Sequence, residues 1–359
     1  MKCAISMAII FLSANVVLSQ NETKPSPFAV SGYVEIYYCY DFDKPENNTR
    51  PSFIYSYNRH NEVNLNLGFV KGSYATEKVR ANLALMAGTY VNANLAAEPG
   101  VLKNIFEANA GVKISDKKNL WVDAGIFGSH IGFESAVGKN CWNLTRSMLA
   151  DNTPYYESGA KVSYTSDNSK WVLSGLVLNG WQRIHRVDGN SLPSFGTQVT
   201  FKQTNRVTFN SSSFIGTDKP DSARQMRYFH NFYGIFQVTE KVGLTFGFDY
   251  GVEEKNPKTS LTNGWLSTVI IARAQVSDKI TLALRGEYYD DEHGVIITTG
   301  TPNGFKTTGV SGNLDYQIMP NAMWRIEARN LNSKDAIFVK DNKASRNNTF
   351  VTTSLAVSF

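Results

Sequence analysis

The chain has 359 residues and a formal net charge of +5, spread along its length without a basic run; so mild a balance excludes a charged nucleic-acid-binding surface. After the N-terminus no apolar run reaches the roughly 18 residues that a helix needs to cross a membrane, so helical spans are excluded. A mean hydropathy of −0.26, 12% aromatic residues and 27 Gly against 11 Pro fit an all-β chain in which only alternate residues meet an apolar medium.

Residues 1–19 read as a secretory signal peptide. Lys2 supplies the positive start, 3–13 (CAISMAIIFLS) the short apolar core, and Val17 and Ser19 the small residues before cleavage. Residues 20–28 form a short periplasmic lead with Pro25 and Pro27. From 29 to 359 the pattern gives about sixteen strands, most of them near the ten residues that cross a bilayer at a tilt. The first, 29–41, runs into a long polar loop, and the second, 58–74, into a tight turn at 75–77. The third, 78–90, leads to a long loop, and the fourth, 104–114, to a short turn. The fifth, 120–130, is followed by the longest connection, 131–154. Short turns at 166–169, 203–205, 239–241, 277–279 and 320–321 then alternate with longer loops near 183–193, 217–223, 254–263, 291–305 and 332–346. This rhythm predicts a single-domain transmembrane up-and-down antiparallel β-barrel with short periplasmic turns and long extracellular loops. A Greek-key sandwich would not keep it.

Period-two alternation assigns the faces. Val79, Ala81, Leu83 and Leu85 face out, opposite Arg80, Asn82 and Ala84. Val63, Leu65, Leu67 and Phe69 face out against Glu62, Asn64 and Asn66. Val242, Leu244, Phe246, Phe248 and Tyr250 face out against Gly243, Thr245, Gly247 and Asp249. Trp324, Ile326 and Ala328 face out, opposite Arg325, Glu327 and Arg329. Segment 265–276 is apolar on both parities and 224–238 is ambiguous, so neither yields a face. The last strand, 347–359, carries Val351, Thr353, Leu355, Val357 and Phe359 on one side and small or hydroxylated residues on most of the other. It must pair with the first strand to remove both edges, and its Phe359 is the expected signal to the barrel-assembly machinery.

The inward charges are the pore-lining candidates: Arg80, Glu107, Lys113, Asp123, Glu157, Lys161, Lys202, Arg206, Asp249, Arg285, Glu287, Arg325, Glu327 and Arg329. Such charges would be costly in a packed barrel, but a wide barrel has an aqueous interior. With eight basic and six acidic members, the set implies at most a weak anion preference.

Several stretches resemble a known family. GYVEIYYCYDF (32–42), RHNEVNLNL (59–67), LWVDAGIFGSHIGFES (120–135) and NLTRSMLADNTPYYESG (143–159) are similar to the putative β-barrel porin-2 (OmpL-like) group of Gram-negative outer membranes. The resemblance spans about 29–359 and is strongest in the first half. It implies an outer-membrane channel and carries no catalytic residues.

Loop 131–154 is a candidate pore-constricting loop. Its stretch 142–150 (WNLTRSMLA) is read as two helical turns, and Glu134, Lys139, Arg146 and Asp151 are expected to meet charges on the wall. Cys39 lies near the outer end of the first strand and Cys141 lies in the loop; the compartment permits a disulfide between them. His60, His130, His185, His230 and His293 are scattered without metal-ligand spacing, and no cofactor motif occurs. The expected function is passive passage of small hydrophilic solutes through an outer-membrane porin. Its partners are membrane lipid, the assembly machinery, the solutes and further copies of the chain in a homo-oligomer. The alternatives are a lipid or peptide hydrolase on a barrel, for which Ser129, His130 and Glu134 are the candidates, or a structural or adhesive surface barrel.

Overall fold

The computed structural model describes residues 26–257 and 259–359. The expected signal peptide and most of the lead lie outside them. The strands are β1 (Phe28–Asp41), β2 (Val63–Ala75), β3 (Val79–Ala87), β4 (Ile105–Lys113), β5 (Asn119–Gly128) and β6 (Tyr156–Thr165). They continue with β7 (Trp171–Leu178), β8 (Ser194–Lys202), β9 (Val207–Gly216), β10 (Arg227–Gln237), β11 (Val242–Glu254) and β12 (Thr262–Gln275). The last are β13 (Ile280–Asp291), β14 (Phe305–Met319), β15 (Ala322–Ser333), β16 (Phe338–Lys340), β17 (Lys343–Ser345) and β18 (Asn347–Ser358). β16 and β17 make a small hairpin inside the last long loop; the other sixteen close into one antiparallel barrel. Each barrel strand pairs with its neighbours in sequence, as the alternation of turns and loops predicts.

Closure removes the two sheet edges that would otherwise expose unpaired backbone. β1 and β18 pair from Tyr33↔Ser358 to Asp41↔Phe350. Past the last ladder pair, the Gly32 and Phe359 backbones exchange hydrogen bonds of 2.7 and 3.0 Å. The Phe359 ring covers Gly32 so closely that a Cβ there would collide with it. Glycine is needed at this seam because the ring occupies the space a side chain would take.

The outer face is apolar. Val34, Leu83, Leu85, Val112, Val177, Ile270, Leu284 and Val310 are exposed on it. Outward aromatics collect at both ends, with Tyr74, Trp171, Tyr316 and Trp324 near the turns and Tyr228 and Tyr250 near the loops. An apolar band between aromatic girdles is the surface a bilayer requires.

The faces predicted for β3, β11, β15 and β18 match the structure. β2 requires a correction. Glu35 pairs with Leu67 and Ile36 with Leu65, so Asn66 is an extra residue in a bulge. A bulge reverses parity downstream. Val63 therefore faces out, but Leu67 and Phe69 point in, and Lys71 follows them into the lumen. The undecided strands resolve as well. β12 turns Trp265, Val269 and Ile271 inward, and β10 turns Phe229, Asn231 and Tyr233 inward.

Replacing Gly32 by Leu must move the Phe359 ring or the strand. The expected cost is ~1–3 kcal/mol of overpacking, read as a lower urea midpoint for unfolding in micelles. Replacing the exposed Val30 by Ile, one turn of the pleat away, should leave the midpoint unchanged.

Candidate functional site

The connection between β5 and β6, residues 129–155, lies against the inner wall. Its polar backbone has no strand partner there, and buried N–H and C=O groups must be paired. Polar and charged side chains of β13, β14 and β15 supply the partners. Thr145 N donates to Glu327 Oε2 at 2.6 Å and Met148 N to Glu287 Oε2 at 2.7 Å. Leu144 N donates to Asn313 Oδ1 at 3.0 Å. The arginines take the carbonyls. Arg325 donates to Gly138 O (2.7 Å), Cys141 O (3.0 Å) and Trp142 O (3.2 Å). Arg285 donates to Thr145 O at 2.6 Å and Arg329 to Arg146 O at 2.8 Å.

The same wall charges pair among themselves. Arg325 meets Asp315 at 2.6 Å, Arg285 meets Glu327 at 2.8 Å, and Arg329 meets Glu287 at 2.6 Å. Three guanidinium groups thus balance three carboxylates, all buried. Apolar loop residues complete the contact. Leu149 packs on Val269, Ile271 and Ala283, flanked by Phe133 and Trp142. This explains why β12 is apolar on both faces: one face meets lipid and the other meets the loop.

Within the loop, Glu134 accepts hydrogen bonds from Ser147 N and Oγ. Arg146 donates to the carbonyls of Ser135, Leu144 and Ala136. Asp151 accepts from Tyr155, and Lys139 reaches Ser358 on the closing strand. The expectation that these four would meet wall charges is corrected to this extent: none forms an ion pair with the wall, Glu134, Arg146 and Asp151 hold the loop's own shape, and Lys139 meets a wall hydroxyl. The helix is also shorter than expected. Only Met148–Asp151 is α-helical, N-capped by the Ser147 hydroxyl accepting from Ala150 N. Residues 142–147 stay non-helical because their backbone groups are bound to the wall.

The opposite wall, β2 to β6, carries a second set of charges. Lys71 meets Glu107 at 2.6 Å across Ala84, and Arg80 meets Asp123 at 2.5 Å across Gly111. A Cβ at Gly111 would strike the Asp123 carboxylate. Ala84 and Gly111 are thus the low points that let long side chains bridge two strands. Lys161 lies over the Phe127 ring at 4.8 Å, and Arg80 over Trp121 at 4.2 Å. This wall and the loop enclose a cavity of about 470 Å³ lined by Lys71, Phe106, Glu107, Phe133 and Tyr155. The sequence hides Lys71 because the bulge at Asn66 shifts its parity, and Asp315 lies on β14, a strand to which the alternation assigns no face.

The remaining candidates separate by place. Lys202 and Arg206 are exposed at the turn between β8 and β9, and Lys113 sits at the turn end of β4, so these three stand at the rim. Asp249 is buried and held by Asn231 at 2.5 Å. Glu157 is buried at the loop base. Outside the membrane band, loops are clasped to each other: hydrogen bonds from Ser191 and Arg224 hold the Asp221 carboxyl down to about 2.

A family model matches residues 27–359. The chain belongs to the family "Putative beta-barrel porin-2, OmpL-like". No curated protein matches it. Among solved structures it is similar to an anion-selective porin from Comamonas acidovorans, with a TM-score of 0.60 and 11% identity over 92% of this chain and 99% of that one. It is also similar to the outer membrane channel DcaP of Acinetobacter baumannii (TM-score 0.58, 12% identity, 95% and 100% covered). OmpF of Salmonella typhi in complex with daunomycin gives a TM-score of 0.60 at 8% identity, with 92% and 97% covered. At these identities the likeness is one of fold.

In this porin-2 barrel the cysteine expectation is overturned. Cys39 and Cys141 are both buried free thiols. The Cys39 sulfur accepts from Thr352 Oγ1 at 3.3 Å, while Cys141 donates to Ser135 O at 3.3 Å. The hydrolase arrangement is not formed either. Ser129 Oγ donates to Glu157, not to His130. His130 places Nδ1 on Glu157 and Nε2 on Ser213 O, both at 2.9 Å. With acceptors on both sides, the ring has no free lone pair to act as a base.

Cys141 makes the loop's attachment measurable. In the folded native protein neither thiol should react with a maleimide. Arg325→Met removes the donor to three loop carbonyls and leaves Asp315 unpaired, a loss of about 3–5 kcal/mol. Cys141 should then become labelled while Cys39, outside the loop, stays protected.

Proposed function

We propose that the chain is an outer-membrane porin that passes small hydrophilic solutes and ions passively, with a weak anion preference, and that loop 131–154 narrows the pore. Family membership and the sixteen-strand barrel support the channel reading. The observation that carries the preference is the division of the inner charges. The set under the loop is balanced and sealed from water. On the less buried wall, Lys71, Arg80 and Lys161 face Glu107 and Asp123, while Glu157 is buried against His130 at the loop base. A net cationic lining raises the local concentration of anions. One neighbour in fold is itself described as anion-selective. No cofactor or catalysis is required, since solutes move down their own gradients. Lipid, the assembly machinery that reads the closing strand and, in a homo-oligomer, further copies of the chain are the partners this function implies.

Planar-bilayer recording of the folded mature protein tests the reading. Stable conductance steps are expected, with a zero-current potential in a salt gradient on the anion-selective side. Lys161→Glu changes the energy of an ion ~10 Å away by ~0.8 kcal/mol in water, or about four-fold in anion occupancy. It should move the potential toward cation selectivity. Folded protein that gives no conductance would rule the channel out.

Deleting residues 138–148 should raise single-channel conductance. The deletion removes the segment bound to the wall and leaves Arg285, Arg325 and Arg329 with Glu287, Glu327 and Asp315 facing water. Unchanged conductance would show that the loop lies outside the ion path.

A further inference from the structure

A separate cavity lies among the outer loops. It measures about 530 Å³ and is framed by the first loop, the loop before β14 and the loop that holds β16 and β17. That volume is within the range of small-ligand sites. Its apolar side is Phe53, Ile297 and Phe338, all largely buried. Its polar side is organised by one carboxylate. Asp41 accepts from Arg50 Nε at 3.3 Å and from Asn348 Nδ2 at 2.8 Å.

Arg50 and Asn348 are only 2% and 1% exposed, yet each keeps one polar atom without a protein partner. Arg50 has committed Nε to Asp41 and Nη1 to the Tyr57 carbonyl, which leaves the donor Nη2. Asn348 has committed Nδ2 to Asp41 and Asp43, which leaves the acceptor Oδ1. Buried polar groups left unpaired cost free energy, and each calls for an explanation.

The pair of atoms narrows the ligand chemistry. An ammonium group cannot accept from Arg50. A carboxylate cannot donate to Asn348, and it would meet Asp41, Asp43, Glu46 and Asp341 in the same cavity. A hydroxyl group both donates and accepts. Neighbouring carboxylates accept further hydroxyls, while Phe53 and Phe338 offer apolar surface to C–H groups. We propose that this cavity binds a neutral carbohydrate through Arg50, Asn348 and Asp43. The sugar comes either as a free oligosaccharide at the mouth of the barrel or as the glycan headgroup of a membrane lipid.

The test is calorimetric titration of the folded, detergent-solubilised mature protein with maltose, lactose and sucrose, and separately with vesicles containing a galactosyl lipid. Binding is read without conductance, so its outcome is independent of the channel reading. Saturable binding is expected with at least one probe. Arg50→Lys keeps a cation beside Asp41 but removes the free donor, and it should weaken binding ten-fold or more. Thr298→Trp, at an exposed position of the cavity wall, fills the space without touching the buried pairs and should abolish it. Heat-dependent gel mobility confirms that both variants fold. Free-sugar binding lost in both variants identifies a solute site, and vesicle binding alone, lost in both, identifies a lipid-glycan site. No saturable binding by the wild type, or binding that Thr298→Trp leaves unchanged, overturns the proposal.

Discussion

The structure depends on one requirement: a polar loop inside a barrel must have its backbone hydrogen bonds satisfied. A loop that runs across strands cannot join their ladder, so the wall must offer side chains. β13 and β15 do so with arginines that donate to loop carbonyls and carboxylates that accept from loop N–H groups, and β14 adds the Asn313 amide oxygen. Neither partner is stable alone. An unpaired buried guanidinium would be severely penalised, and so would an unpaired buried peptide group. Each requires the other, which gives the loop a single position.

That arrangement divides the lumen. Beneath the loop the three arginines and three carboxylates neutralise each other and exclude water. The apolar cluster around Leu149 seals the adjoining surface of β12. Facing the loop, the wall of β2 to β6 retains the half-buried Lys71, Arg80 and Glu107, which with the buried Asp123 are bridged in pairs across small residues. Charge on an inner wall can therefore serve two ends. On one side it holds the loop in place, and on the other it stays partly open to the lumen.

The sequence was a good guide wherever alternation ran unbroken. The short and long connections gave the barrel, and Leu83 against Arg80 or Trp324 against Arg325 gave the sidedness. It failed where a local insertion or a hidden partner mattered. One extra residue at Asn66 reverses every face after it, and nothing in RHNEVNLNL marks the bulge. β10 and β12 defeated assignment because their inner faces pack on the loop and on other aromatics and so are apolar too. Composition could not separate buried from wet charges either, since Arg325 and Arg80 read alike. Segment 142–150 has a helical pattern, but tertiary hydrogen bonds to the wall outweigh propensity over all except its last residues. Two cysteines in an oxidising compartment suggested a bond, whereas their surroundings make each a separate buried thiol.

The division also separates the charges that anchor the loop from those that bridge the facing wall. The bridges Lys71–Glu107 and Arg80–Asp123 make no hydrogen bond to the loop, and the charged groups that hold its backbone lie on other strands. Substitutions on β2, β3, β4 or β5 can then change the sign of the lining without unseating the loop, because interactions at well-separated sites act almost independently. Substitutions of Arg285, Glu287, Arg325, Glu327 or Arg329 cannot, since each holds both a wall partner and a loop backbone group. The charges on the wall facing the loop are bound only to one another, while those beneath it are constrained by the loop's own backbone.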